Sequence, residues 1–145
     1  LLKKLREETQ AGVSDCRQAL EDAKGDYAKA KKLLHERGVE KAAKKEGKET
    51  SQGIVESYVH AGRVGVLVEL RSETDFVARN EEFGKLAHEI ALQVAAMNPK
   101  DVKALMGSEY IRDATLTIAD LVKQTIAKVG ENITIAKFSR IALGE

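Results

Sequence analysis

The chain has 145 residues, with Lys and Arg (24) nearly balancing Asp and Glu (23), three Phe, three Tyr, no Trp and one cysteine. This length allows one or two small domains around a mostly aliphatic core, and the dense but balanced charge excludes a global field for gripping nucleic acid. A lone thiol, Cys16, excludes an internal disulfide and a cysteine metal centre. No apolar run approaches the roughly 20 residues of a membrane span and nothing resembles a cleavable signal, so the expected setting is the cytoplasm or an organelle matrix, away from membranes.

The first 38 residues read as three short helices. Leu2 and Leu5 begin the first, which the Ala11-Gly12 pair stops; Ser14 is placed to cap the second, with Asp15 near its positive end. Leu20 and Ala23 continue the buried face, Gly25 ends that helix, and Asp26 caps the third, whose Ala30, Leu33 and Leu34 form a stripe up to Gly38. Cys16 reads as a small helix residue, since no basic cluster or paired His would activate it.

Residues 39–52 turn abruptly to Lys, Glu, Ala and Gly and read as a charged linker, helical at its start and loosened at Gly47. Its Lys41, Lys44, Lys45 and Lys48 alternate with Glu40, Glu46 and Glu49 and lack accompanying aromatics, which favours a solvated face over a phosphate-binding patch.

An α+β core is expected over 53–145. Ile54–His60 and Val64–Leu70 are rich in β-branched residues and are joined by Ala61-Gly62-Arg63, which predicts a β-hairpin over 54–70. On its second strand Val64, Val66, Val68 and Leu70 share one face against Gly65, Leu67 and Glu69 on the other, and Gly65 suggests a bulge or a close neighbour. His60, His35 and His88 each stand alone, without a second ligand at metal spacing.

Arg71–Asn80 then joins this strand to a helix over 81–97, whose Phe83, Leu86, Ala87, Ile90, Val94 and Met97 recur at helical spacing, with Glu82, Lys85, Glu89 and Gln93 elsewhere. Phe76, in the joining loop, either folds back as a core anchor or points outward as an apolar wedge, and the general burial of aromatics favours the anchor. Asn98-Pro99 ends the helix. Thr117 with Asp120 caps a helix over 118–129, striped by Ile118, Val122, Ile126 and Val129 and stopped by Gly130. A last strand over 133–143 slips its alternation around Lys137-Phe138, the mark of a bulge or an edge.

Three of these stretches, in the same order, resemble the elongation factor Ts family. Glu73-Thr74-Asp75-Phe76-Val77-Ala78-Arg79-Asn80 is similar to its signature segment, Ile126-Ala127-Lys128-Val129-Gly130-Glu131-Asn132-Ile133 to its closing motif, and Lys41-Ala42-Ala43-Lys44-Lys45 to the run that precedes its core. The turn Thr9-Gln10-Ala11-Gly12-Val13-Ser14-Asp15-Cys16 matches the family's Thr-Gly-Ala-Gly turn, with Gln10 for a Gly and Val13-Ser14 for a Met pair. Between Asn98-Pro99 and Ser108–Asp113 the chain lacks a long stretch that typical members carry.

The resemblance implies an N-terminal three-helix, UBA-like module that binds a partner, the linker, and a core of about three antiparallel strands packed on helices. It further implies guanine-nucleotide exchange on elongation factor Tu in translation elongation, without covalent chemistry, cofactor, metal or direct nucleic-acid contact. Asp75 and Phe76 would press into the partner's G domain at the Mg²⁺ and phosphate end of its nucleotide site, with Thr74 and Val77 setting the turn, while Ala11, Gly12, Val13, Ser14 and Asp15 would touch the same partner. The residues hold no paired Ser and His and no Walker-type loop. The rival reading is a ribosome- or RNA-associated protein using Lys41–Lys48, and homo-oligomerisation stays open.

Overall fold

The computed structural model describes residues 1–9 and 11–145; Gln10, part of the expected N-terminal contact turn, lies outside them. The first helices are α1 (Leu2–Thr9), α2 (Val13–Asp22) and α3 (Tyr27–Lys45). Leu5, Cys16, Ala19, Ala23 and Ala30 bury a small core between them, with Leu2, Leu20, Leu33 and Leu34 partly buried against it.

Two local expectations for this module are corrected. Ser14 lies inside the first turn of α2, and the N-cap is Gly12, whose extended backbone offers no side-chain bond. The third helix does not stop at Gly38; it runs unbroken to Lys45, ends on the C-cap Glu46, and turns away through Gly47 at φ of +88°. The reason is tertiary: α3 lies along the later helix α7 (Ile118–Val129), close enough that a Cβ on Gly38 would sit 3.6 Å from that of Ala127. Ala42, assigned from sequence to the linker, is buried in the main core. Asp26 caps α3 as its position predicts, accepting from the Lys29 amide at 3.2 Å.

The main body is a three-stranded antiparallel sheet of β1 (Gln52–His60), β2 (Val64–Ser72) and β5 (Ile133–Ala142), in the order β1-β2-β5. The hairpin turns through Ala61 and Gly62, both at positive φ, with the Arg63 amide bonded to the His60 carbonyl. Val66, Val68 and Leu70 face inward, whereas Val55, Val59, Leu67 and Ile141 stay exposed on the outer face. Gly65 neither bulges nor meets a neighbour; the close approach is at Gly53, where a Cβ would lie 2.1 Å from the Leu70 carbonyl oxygen. The register slips on the other side of β2, where Glu69 faces Lys137 and Leu70 faces Ile135, which leaves Ala136 as an extra residue in edge strand β5.

Helix α5 (Glu81–Met97) packs on the inner face, chiefly against β1 and β2, and α7 packs on α5 and α3; Phe83, Leu86, Ala87, Ile90, Ile118, Val122 and Ile126 are buried in one core with the sheet. Asn98, Gly130 and the Thr117–Asp120 pair bound these helices as read from sequence, the last as a full capping box on α7, and the structure adds Asn80, whose side chain accepts from the Glu82 amide, as the N-cap of α5. Met97 leaves the stripe and is exposed, while Gln93, expected off the buried face, is fully buried. Its amide donates to the Ser108 hydroxyl and the Glu109 carbonyl and accepts from the Ile111 amide, so every polar position meets a partner. That bonding belongs to an unexpected excursion, α6 (Val102–Gly107) followed by the two-stranded pair β3 (Glu109–Tyr110) and β4 (Asp113–Thr117).

Candidate functional site

Strand β2 ends at Ser72, which is fully buried and donates from its hydroxyl to the Thr74 carbonyl at 2.8 Å. This local bond turns the chain out of the sheet at once. A single helical turn follows, α4 (Asp75–Ala78), capped by Thr74, whose Oγ1 accepts from the Val77 amide at 3.4 Å. Four residues make too little helix to persist alone, so the turn depends on what holds its base.

That base is held from both sides. Val77 and Ala78 are buried in the main core, which pins the inner half of the turn. Glu131, in the bend between α7 and β5, accepts from the Thr74 amide at 3.0 Å through Oε1 and from the Thr74 hydroxyl at 2.7 Å through Oε2. Glu73 answers across the same gap, its Oε2 accepting from the Asn132 amide at 2.6 Å. The Asn132 side-chain amide in turn donates to the Lys48 carbonyl at 2.8 Å, which ties the connection from α3 into the same knot.

Against that fixed base Phe76 stands out, with 78% of its surface exposed. Asp75 and Arg79 form an ion pair at 3.1 Å one helical turn apart, and the Arg79 guanidinium lies 5.8 Å from the Phe76 ring centroid. An exposed pair and an exposed cation–π contact of this kind contribute about 1 kcal/mol or less each, enough to bias the ring's direction without covering it. The choice between anchor and wedge, which residue statistics decide for the anchor, therefore falls the other way. Val77, next in the chain, does the anchoring.

The N-terminal patch is a separate structure on a different module. Ala11 is half-buried, its amide donating to the Thr9 hydroxyl at 3.3 Å, while Gly12, Val13, Ser14 and Asp15 are exposed. Cys16, fully buried beneath them, donates weakly to the Ala11 carbonyl at 3.7 Å. Asp15 is paired with Lys41 of α3 at 2.8 Å. One of the lysines that a nucleic-acid reading needs is thus occupied within the chain. Among the described residues, no group of three or more His, Cys, Asp or Glu is placed to hold a metal ion, and no helix is long and apolar enough to cross a membrane.

Residues 73–145 match the family model described as Elongation factor TS. The Elongation factor Ts of Coprothermobacter proteolyticus is 39% identical over 191 aligned residues, covering 100% of this chain and 97% of its own length. Those of Rippkaea orientalis and Alkaliphilus metalliredigens are 38% and 36% identical, covering 77% and 88% of their own lengths. Fold and site define an α+β protein with a short, firmly bonded loop that exposes one aromatic ring, and the relatives make its class the translation elongation factors. The chain belongs to the elongation factor Ts family. An alignment of 191 positions to a chain of 145 residues also means that these relatives carry residues within the aligned region that have no counterpart here.

Proposed function

We propose that the chain is a guanine-nucleotide exchange factor for elongation factor Tu, acting by presenting Asp75 and Phe76 to the partner's G domain near the Mg²⁺ and phosphate end of its nucleotide site. The observation that carries this reading is the exposure of Phe76 at 78% on a turn whose neighbours Val77 and Ala78 are buried. A monomeric fold gains nothing from an aromatic held in water, whereas a partner surface gains its apolar area on contact. Asp75 adds a carboxylate beside the ring, which would repel phosphate oxygens and attract a cation away from them.

Exchange of this kind needs differential binding and no bond chemistry: the protein holds the nucleotide-free partner more tightly than the Mg²⁺-GDP form. Thr74 and Val77 set the turn, and Ala11, Gly12, Val13, Ser14 and Asp15 provide a second contact on the three-helix module. The deciding experiment is release of fluorescent GDP from purified elongation factor Tu, which this chain should accelerate in a saturable manner. An unchanged release rate would remove the reading.

A further inference from the structure

Glu131 and Glu73 are half-buried carboxylates, and neither has an ion-pair partner among the described residues. Partly burying a carboxylate without a cation is costly, and here the compensation consists of directional hydrogen bonds alone. The bonds run in opposite senses across one gap: Glu131 accepts two from Thr74, and Glu73 accepts one from the backbone beside Glu131. Three bonds between two short segments fix rotation as well as separation, which one bond cannot. Because α4 has a single turn, the direction of Phe76 is set by this clasp together with the burial of Val77 and Ala78.

We infer that Glu131 is a positioning residue for exchange: its carboxylate holds the Thr74 cap so that Asp75 and Phe76 are presented already ordered, and Asn132, through the Lys48 carbonyl, carries the same restraint to the connection from the N-terminal module. The inference rests on the exchange reading above, since it assigns the clasp its purpose there. Ordering the loop beforehand removes an entropic cost that binding would otherwise meet, and small misplacements of a working group are expensive.

The test uses the full chain with Glu131→Ala and Glu131→Gln, followed by two readouts: hydrogen exchange of the Thr74, Val77 and Ala78 amides in the free protein, and the maximal rate of GDP release at saturating protein. Glu131→Gln keeps the shape but offers a single acceptor oxygen, so it should fall between wild type and alanine. The expected result is faster amide exchange in the loop, with α5 and α7 still protected, and a maximal rate lower by about tenfold or more in Glu131→Ala. A wild-type maximal rate with a loosened loop overturns the inference, as does a lowered rate with the loop still protected, which would make Glu131 a direct contact. If Glu131→Ala unfolds globally, Glu131→Gln decides by the same pair of readouts. If the wild-type chain does not release GDP from elongation factor Tu, the exchange reading fails, and loop protection alone decides whether Glu131 positions the turn.

Discussion

Thr74 gives both its backbone amide and its hydroxyl to the two carboxylate oxygens of Glu131, at 3.0 and 2.7 Å, across 57 residues of chain. The same hydroxyl oxygen also accepts from Val77 and so caps the helical turn that carries Phe76. A single side chain thus links the closing motif of the chain to the direction of its most exposed aromatic ring.

Exposure of Phe76 leads to the first expectation. Phe76→Ala should slow GDP release about ten- to hundredfold, the equivalent of the roughly 1.5–3 kcal/mol gained by burying a Phe at a partner. The melting temperature should stay within about 2 °C, as for other surface substitutions. Phe83→Ala is the contrast, since Phe83 is fully buried and its truncation should cost about 3–5 kcal/mol of stability. A collapse of the Phe76→Ala melting transition would return Phe76 to the core.

If the loop acts by favouring a partner conformation that holds nucleotide weakly, linkage requires GDP with Mg²⁺ to weaken binding of this protein by the same factor. Each roughly 1.4 kcal/mol of coupling is tenfold in affinity, so titration resolves even a modest effect. Replacing Asp75 and Phe76 together by Ala should shrink the ratio of the two affinities more than it weakens binding to nucleotide-free elongation factor Tu. Equal loss in both states would reduce the loop to a docking surface.

Gly38 sits inside α3, and a Cβ there would make an ordinary contact, 3.6 Å, with Ala127. Gly38→Ala should therefore stabilise the protein by about 0.5–1 kcal/mol by restricting the unfolded chain. Urea denaturation checks the sign. Destabilisation would mean that α3 and α7 have no room for even one methyl group.

Burial, reinforced by its hydrogen bond to Glu89, pushes the Tyr110 phenol up to about 12. The folded state then keeps a proton that the unfolded chain releases near 10, so this contribution to stability is present below about pH 10 and is lost as pH rises from there through about 12. Tyr110→Phe should flatten the fall in urea stability between about pH 10 and about 12. An equally steep fall in the variant would assign the alkaline loss to other groups.

Local chemistry in the sequence determined much of this protein. Caps and apolar spacing located α5 and α7, the inward Val66-Val68-Leu70 face followed from strand alternation, and the three ordered motifs carried the family. These features depend on residues within a turn or two of each other, where helix and strand periodicities act. What only the tertiary structure decided lies between distant segments: the passage of α3 through Gly38 onto α7, the buried bonding of Gln93 to β3, the outward Phe76, and the Glu131 clasp. A glycine that would end an isolated helix is overridden once its helix packs along a second one, as α3 does on α7 at Gly38 and Ala127. A carboxylate finds its donors 57 residues away only after the sheet has brought the two bends together.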